Sequence, residues 1–193
     1  MKRIFTIIII SLLCICISGC KDIKNDREKQ LDVFKFTTQE GTNLIFEYIE
    51  FDGYSIKVPT NMSLMSEEMK SIKYPSDNAP KFVYTNDDGS INLNVENNEV
   101  ELSNEQIIEY TKQMEKILGS LGEVKSVEYF ERDGRQIGEI KVVTQAIDSK
   151  IINHMILFSI NNKLKIVSFN CTINHYNEFE QVSDFIINSI KFN

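Results

Sequence analysis

Residues 124–173 read as four long strands with almost nothing between them, and few folds accommodate that pattern. Val124–Glu131 and Gln136–Ile147 flank Asp133-Gly134. Lys150–Ile160 and Lys163–Ile173 flank Asn161-Asn162, and the middle pair meets at Asp148-Ser149. A parallel connection needs a crossover of a dozen or more residues, which these gaps do not hold. Two-residue turns with Gly or Asn instead specify hairpins. The segment is therefore expected to be an antiparallel meander.

The remainder fits around it. Ile45–Phe51 and Tyr54–Val58 flank Asp52-Gly53, a hairpin signal. Lys81–Thr85 and Ser90–Asn97 flank 86–89, a second one. In the later arm Ile91, Leu93 and Val95 share one face, and Asn92, Asn94 and Glu96 the other. That alternation predicts a half-buried strand with one wet face. Ser66–Lys73 predicts a short helix, capped by Ser66 and stopped by Pro75. Ser103 and Gln106 form a capping box, with Leu102 and Ile107 as a hydrophobic staple. Ile107, Tyr110, Thr111, Met114, Ile117, Leu118 and Leu121 then make a helical stripe, ended by Gly119 or Gly122. Tyr176, Phe179, Val182, Ile186 and Ile190 mark a closing amphipathic helix. The expected fold is α+β, a single antiparallel sheet with helices packed on it, in the order ββ-α-ββ-α-ββββ-α.

This order, together with Gly53-Tyr54-Ser55-Ile56-Lys57-Val58-Pro59, resembles the PsbP-like family, α/β/α sandwiches related to an extrinsic photosystem II protein. The resemblance covers roughly residues 45–193 and looks most like the bacterial lipoproteins of that superfamily. It implies a binding or assembly role at a membrane and brings no catalytic residues with it; fold alone does not give function.

The N-terminus carries a different signal. Met1-Lys2-Arg3 is followed by the uncharged run Ile4–Ile17 and then Ser18-Gly19-Cys20. This is the layout of an export signal. The apolar run would span roughly 21 Å as a helix, short of a ~30 Å hydrocarbon core. Ile17, Ser18, Gly19 and Cys20 resemble a bacterial lipobox, which implies diacylglycerol transfer to the Cys20 thiol and cleavage before it. Residues 1–19 are read as a lipoprotein signal peptide, 20–40 as lipidated Cys and flexible tether, and 41–193 as the folded domain. Two acyl chains of palmitate type give stable anchoring where one is marginal. The expected location is the extracytoplasmic face of the cell membrane.

The chain has 21 basic and 28 acidic residues. Losing Lys2 and Arg3 with the signal makes it more acidic still. A nucleic-acid partner, which needs clustered Lys and Arg, is not expected. Of the four cysteines, Cys14 and Cys16 lie in the signal and Cys20 is the lipidation residue. Only Cys171 stays in the domain, so stability must come from a core rather than a disulfide.

Candidate chemistry is sparse. Cys171 and His175 form a two-ligand fragment, while zinc sites normally use three or four protein ligands. Cys171 shares a face with Val167 and Phe169, and His154 with Ile152, Ile156 and Phe158, which reads as core packing. Asp87 and Asp88 fail the EF-hand spacing and read as turn residues. No nucleophile elbow, phosphate loop or dinucleotide turn occurs. No cofactor and no enzyme activity are expected. Asn92, Asn94 and Glu96, extended by Asn97, Asn98 and Glu99, are read either as a solvated sheet face or edge or as a recognition surface for an envelope protein or glycan. The functional expectation is a membrane-anchored, non-catalytic binding or assembly module. The alternatives are a hydrolase or metal-dependent enzyme and a solute-binding lipoprotein.

Overall fold

The structure, a computed structural model, describes residues 34–75, 79–146 and 149–193, with side chains omitted at 97–99. The signal, Cys20, the lipobox residues Ile17, Ser18 and Gly19, and most of the tether lie outside the described residues.

Strands β1 (Phe34–Thr37), β2 (Asn43–Phe51), β3 (Tyr54–Pro59) and β4 (Ser63–Leu64) come first, followed by helix α1 (Glu67–Lys73). Strands β5 (Phe82–Thr85) and β6 (Ile91–Glu101) lead through a 3-10 turn into α2 (Ile107–Leu121). The meander is β7 (Gly122–Arg132), β8 (Arg135–Gln145), β9 (Lys150–Ile160) and β10 (Lys163–Thr172). Helix α3 (Ile173–Asn188) and β11 (Lys191–Phe192) close the chain. The expected meander is present, antiparallel at every step. Its turns carry the positive φ that their sequences anticipate, at Asp133, Gly134, Asn161 and Asn162.

The single expected sheet is two. One has four strands in the order β1-β2-β3-β11, and the other seven in the order β4-β5-β6-β10-β9-β8-β7. The element order is therefore ββββ-α-ββ-α-ββββ-α-β. The first hairpin does not join the meander. Its strand β3 is buried at every position, so it needs partners on both faces and cannot lie on a one-sided sheet. β1 lies inside the 20–40 stretch read as tether and pairs Phe34 with Phe46 and Phe36 with Leu44.

Both faces of the long sheet are packed. On one, Leu93, Val95, Val167, Phe169, Ile156 and Phe158 meet Tyr54, Ile56 and Val58 of β3 and Val182, Ile186 and Ile187 of α3. On the other, Ile140, Val142, Leu157, Leu164 and Ile166 meet Ile107, Tyr110, Met114 and Leu118 of α2. The capping box forms: the Ser103 amide donates to Gln106 Oε1 at 2.9 Å. Gly122 caps the C-terminus of α2. α2 lies so close to β8 that a Cβ on Gly138 would stand 2.0 Å from Thr111 Oγ1. The expected stripe on α2 is narrower than its sequence suggests. Ile117 is 55% and Leu121 64% exposed, while Tyr110, Met114 and Leu118 pack on the sheet.

Candidate functional site

Asn92, Asn94 and Glu96 do share one face of β6, as alternation requires. That face is not wet. β6 lies between β5 and β10, and pairing sets Asn92 opposite Asn170 and Asn94 opposite Ser168. Asn92 and Asn94 are 6% exposed, and Ser168 and Asn170 8%. The result is a floor of neutral polar side chains, contiguous with the apolar strip under α2. Sequence reasoning missed Ser168 and Asn170. The change from Leu164 and Ile166 to Ser168 and Asn170 along one face of β10 was the available signal.

The floor is partly wired. Asn92 Nδ2 donates to Asn170 Oδ1 at 3.0 Å and to the Gly89 carbonyl at 3.2 Å. The Tyr74 hydroxyl donates to Asn94 Oδ1 at 3.2 Å. Asn92 Oδ1 is buried and has no hydrogen-bond partner among the described residues. Because both Nδ2 bonds fix the amide's orientation, a flip would not repair this. A buried acceptor left unpaired costs about 1–3 kcal/mol.

Two tyrosines flank the floor near Glu96. Tyr74 follows α1, and burial pushes its hydroxyl pKa up, opposed by hydrogen bonds with Asn94 and Asn170 and reinforced by Glu96. Tyr110, on α2, is raised by burial and then by Glu96. Helix α1 is held lightly. It buries no residue, and its ties include Lys70 Nζ to the Lys81 carbonyl at 3.1 Å and Lys73 Nζ to the Gly89 carbonyl. Asp88 Oδ1 accepts from the Ser90 amide at 2.8 Å, so it works as a turn residue.

A second polar cluster joins the long sheet to α3. His154 Nε2–H donates to Glu139 Oε1 at 2.9 Å, and His154 Nδ1 lies 3.0 Å from Ser183 Oγ. Lys141 Nζ donates to Asp184 Oδ1 at 2.8 Å beside it. The arrangement has the residue types of a nucleophile, base and orienting acid. It cannot act as one in this state. Ser183 is fully buried, its hydroxyl held between His154 Nδ1 at 3.0 Å and the Glu180 carbonyl at 2.8 Å. His154 is thus a satisfied core histidine. Cys171 is fully buried, and desolvation pushes its thiol up to about 12. His175 is exposed beside Phe179, so the Cys171–His175 fragment faces two different environments.

No family model matches the chain, and no curated protein does. Solved structures define the class instead: the fold is PsbP-like. The chain is similar to the cyanobacterial PsbP (CyanoP) of Synechocystis sp. PCC 6803, with 11% identity and a TM-score of 0.53, over 92% of this chain and 99% of that one. Weaker likenesses are to a Bacteroides thetaiotaomicron VPI-5482 protein (12% identity, TM-score 0.47, covering 72% of this chain and 45% of that one) and to the Saccharomyces cerevisiae Ran-binding protein Mog1p (9% identity, TM-score 0.40, covering 84% and 96%). Among the described residues no helix is long and apolar enough to cross a membrane.

Proposed function

We propose that this protein is a bacterial lipoprotein, anchored through Cys20 on the extracytoplasmic face of the cell membrane, that works as a non-catalytic binding or assembly module. Ile17-Ser18-Gly19-Cys20 supports the anchor. The observation that carries the binding role is the buried amide floor of Asn92, Asn94 and Asn170, with Asn92 Oδ1 unpaired among the described residues. Pure packing would favour apolar residues there, as on the adjacent strip under α2. The sealed state of Ser183 speaks against a hydrolytic role for the His154 cluster.

The test is crosslinking in cells followed by recovery of the protein from the membrane fraction. An envelope component should co-purify with the native protein and be lost from an Asn92→Ala/Asn94→Ala variant that is still membrane-bound. Recovery that is the same for both proteins would contradict the assignment of the site.

A further inference from the structure

From the chemistry of this floor, and resting on its reading as a recognition surface, we infer that the site takes a neutral, hydroxyl-rich ligand, a segment of oligosaccharide, which enters by displacing the Tyr74 hydroxyl. The floor itself carries amides and one hydroxyl: Asn92, Asn94, Asn170 and Ser168. Amides offer both donors and acceptors without charge, and hydroxyl groups answer both. The buried Asn92 Oδ1 requires a donor. Lys70 and Lys73, the cations of α1, are turned onto main-chain carbonyls.

Tyr74 already shows what the floor accepts. Its hydroxyl sits on Asn94 Oδ1 as the hydroxyl of a bound sugar would. It is carried at the end of α1, a helix with no buried residue. Release of Tyr74 therefore costs few contacts of α1 and frees the acceptor Asn94 Oδ1. The ring of Tyr110, packed under α2 and near Glu96, is a rigid, amphipathic surface of the kind that serves polar ligands well. An extended peptide fits the floor less well, because β6 is paired on both edges over Asn92–Val95, the stretch that carries Asn92 and Asn94.

The experiment is saturation-transfer NMR on the full chain in detergent micelles. The probes are a β-1,4-linked glucose tetramer, a β-1,4-linked N-acetylglucosamine tetramer and an uncharged tetrapeptide. At least one saccharide should receive saturation. Asn92→Ala should weaken it about tenfold through loss of one buried hydrogen bond. Tyr74→Phe, which keeps the ring but frees Asn94, should bind several-fold more tightly. This second variant keeps the test valid if Asn92→Ala folds poorly. Transfer to the peptide alone, no saccharide transfer from either the native chain or Tyr74→Phe, or saccharide transfer unchanged in a folded Asn92→Ala protein would overturn the inference. Loss of the crosslinked partner in Asn92→Ala/Asn94→Ala, with no saccharide binding, would remove the ligand class and leave the recognition surface standing.

Discussion

Replacing His154 with Ala should be among the most damaging single changes in the domain, and the size of the effect follows from its surroundings. The ring is 1% exposed. Its removal takes away a bond to the Glu139 carboxylate, whose side chain is itself only 16% exposed. Hydrogen bonds to charged groups contribute about 1.5–3 kcal/mol. The vacated ring leaves a void bordered by Ser183 and the sheet, which costs about 2 kcal/mol more. Together these give a loss of about 4 kcal/mol, within the range for breaking a buried pair. With a urea slope of about 2 kcal/mol/M, the midpoint should fall by roughly 2 M. Urea unfolding followed by circular dichroism measures this directly. Asp184→Asn is the control. Asp184 is 43% exposed, so its contacts with Lys141 at 2.8 Å and with His154 Nδ1 at 3.6 Å should together contribute less than about 1 kcal/mol. If His154→Ala costs no more than Asp184→Asn, His154 does not clamp α3 to the sheet and the reasoning is wrong.

Three further outcomes are expected. Gly138→Ala should destabilise by about 1–3 kcal/mol through overpacking on Thr111, and Thr111→Ala, which removes Oγ1 and Cγ2 but leaves Cβ at 2.8 Å, should relieve part of that in a double-mutant cycle; additive effects would contradict the close approach of α2 to β8. Tyr54 is fully buried and its hydroxyl has no partner among the described residues, so Tyr54→Phe should be neutral or stabilising by up to about 1 kcal/mol in urea unfolding; a clear loss of stability would show that the hydroxyl is satisfied. The Cys171 thiol, buried and pushed up to about 12, should resist alkylation at pH 8 in the folded protein and react fully in denaturant, as peptide mass spectrometry would detect; labelling at the rate of a free thiol would place it at the surface.

How much of this could be seen in the chain depended on the range of the signal. The meander was legible because Asp133-Gly134 and Asn161-Asn162 fix their turns locally, and the runs on either side are long and rich in strand-forming residues. The Ser103–Gln106 cap was legible for the same reason. The second sheet was not. Its edge strands β1 and β11 have four and two residues, too few for a period to emerge, and β11 pairs with β3 from far along the chain, Lys191 with Ser55 and Phe192 with Tyr54. Alternation put Asn92, Asn94 and Glu96 together, but it says which residues share a face and never what covers that face. Asn170 lies 78 residues from Asn92, so their pairing depends on strand order. The His154 cluster likewise draws on β8, β9 and α3. The stripe on α2 overreached at Ile117 and Leu121 because periodicity says which residues share a helical face and not whether a neighbour covers them.

The central claim is that a binding domain is held at a membrane through Cys20. Intact-mass spectrometry of the protein extracted from membranes by detergent tests it most directly. The account predicts a chain that begins at Cys20 and carries a diacylglycerol adduct on that residue. It also predicts that Cys20→Ala abolishes the adduct and the cleavage. A chain recovered from the soluble fraction, or one starting elsewhere with Cys20 unmodified, would contradict it.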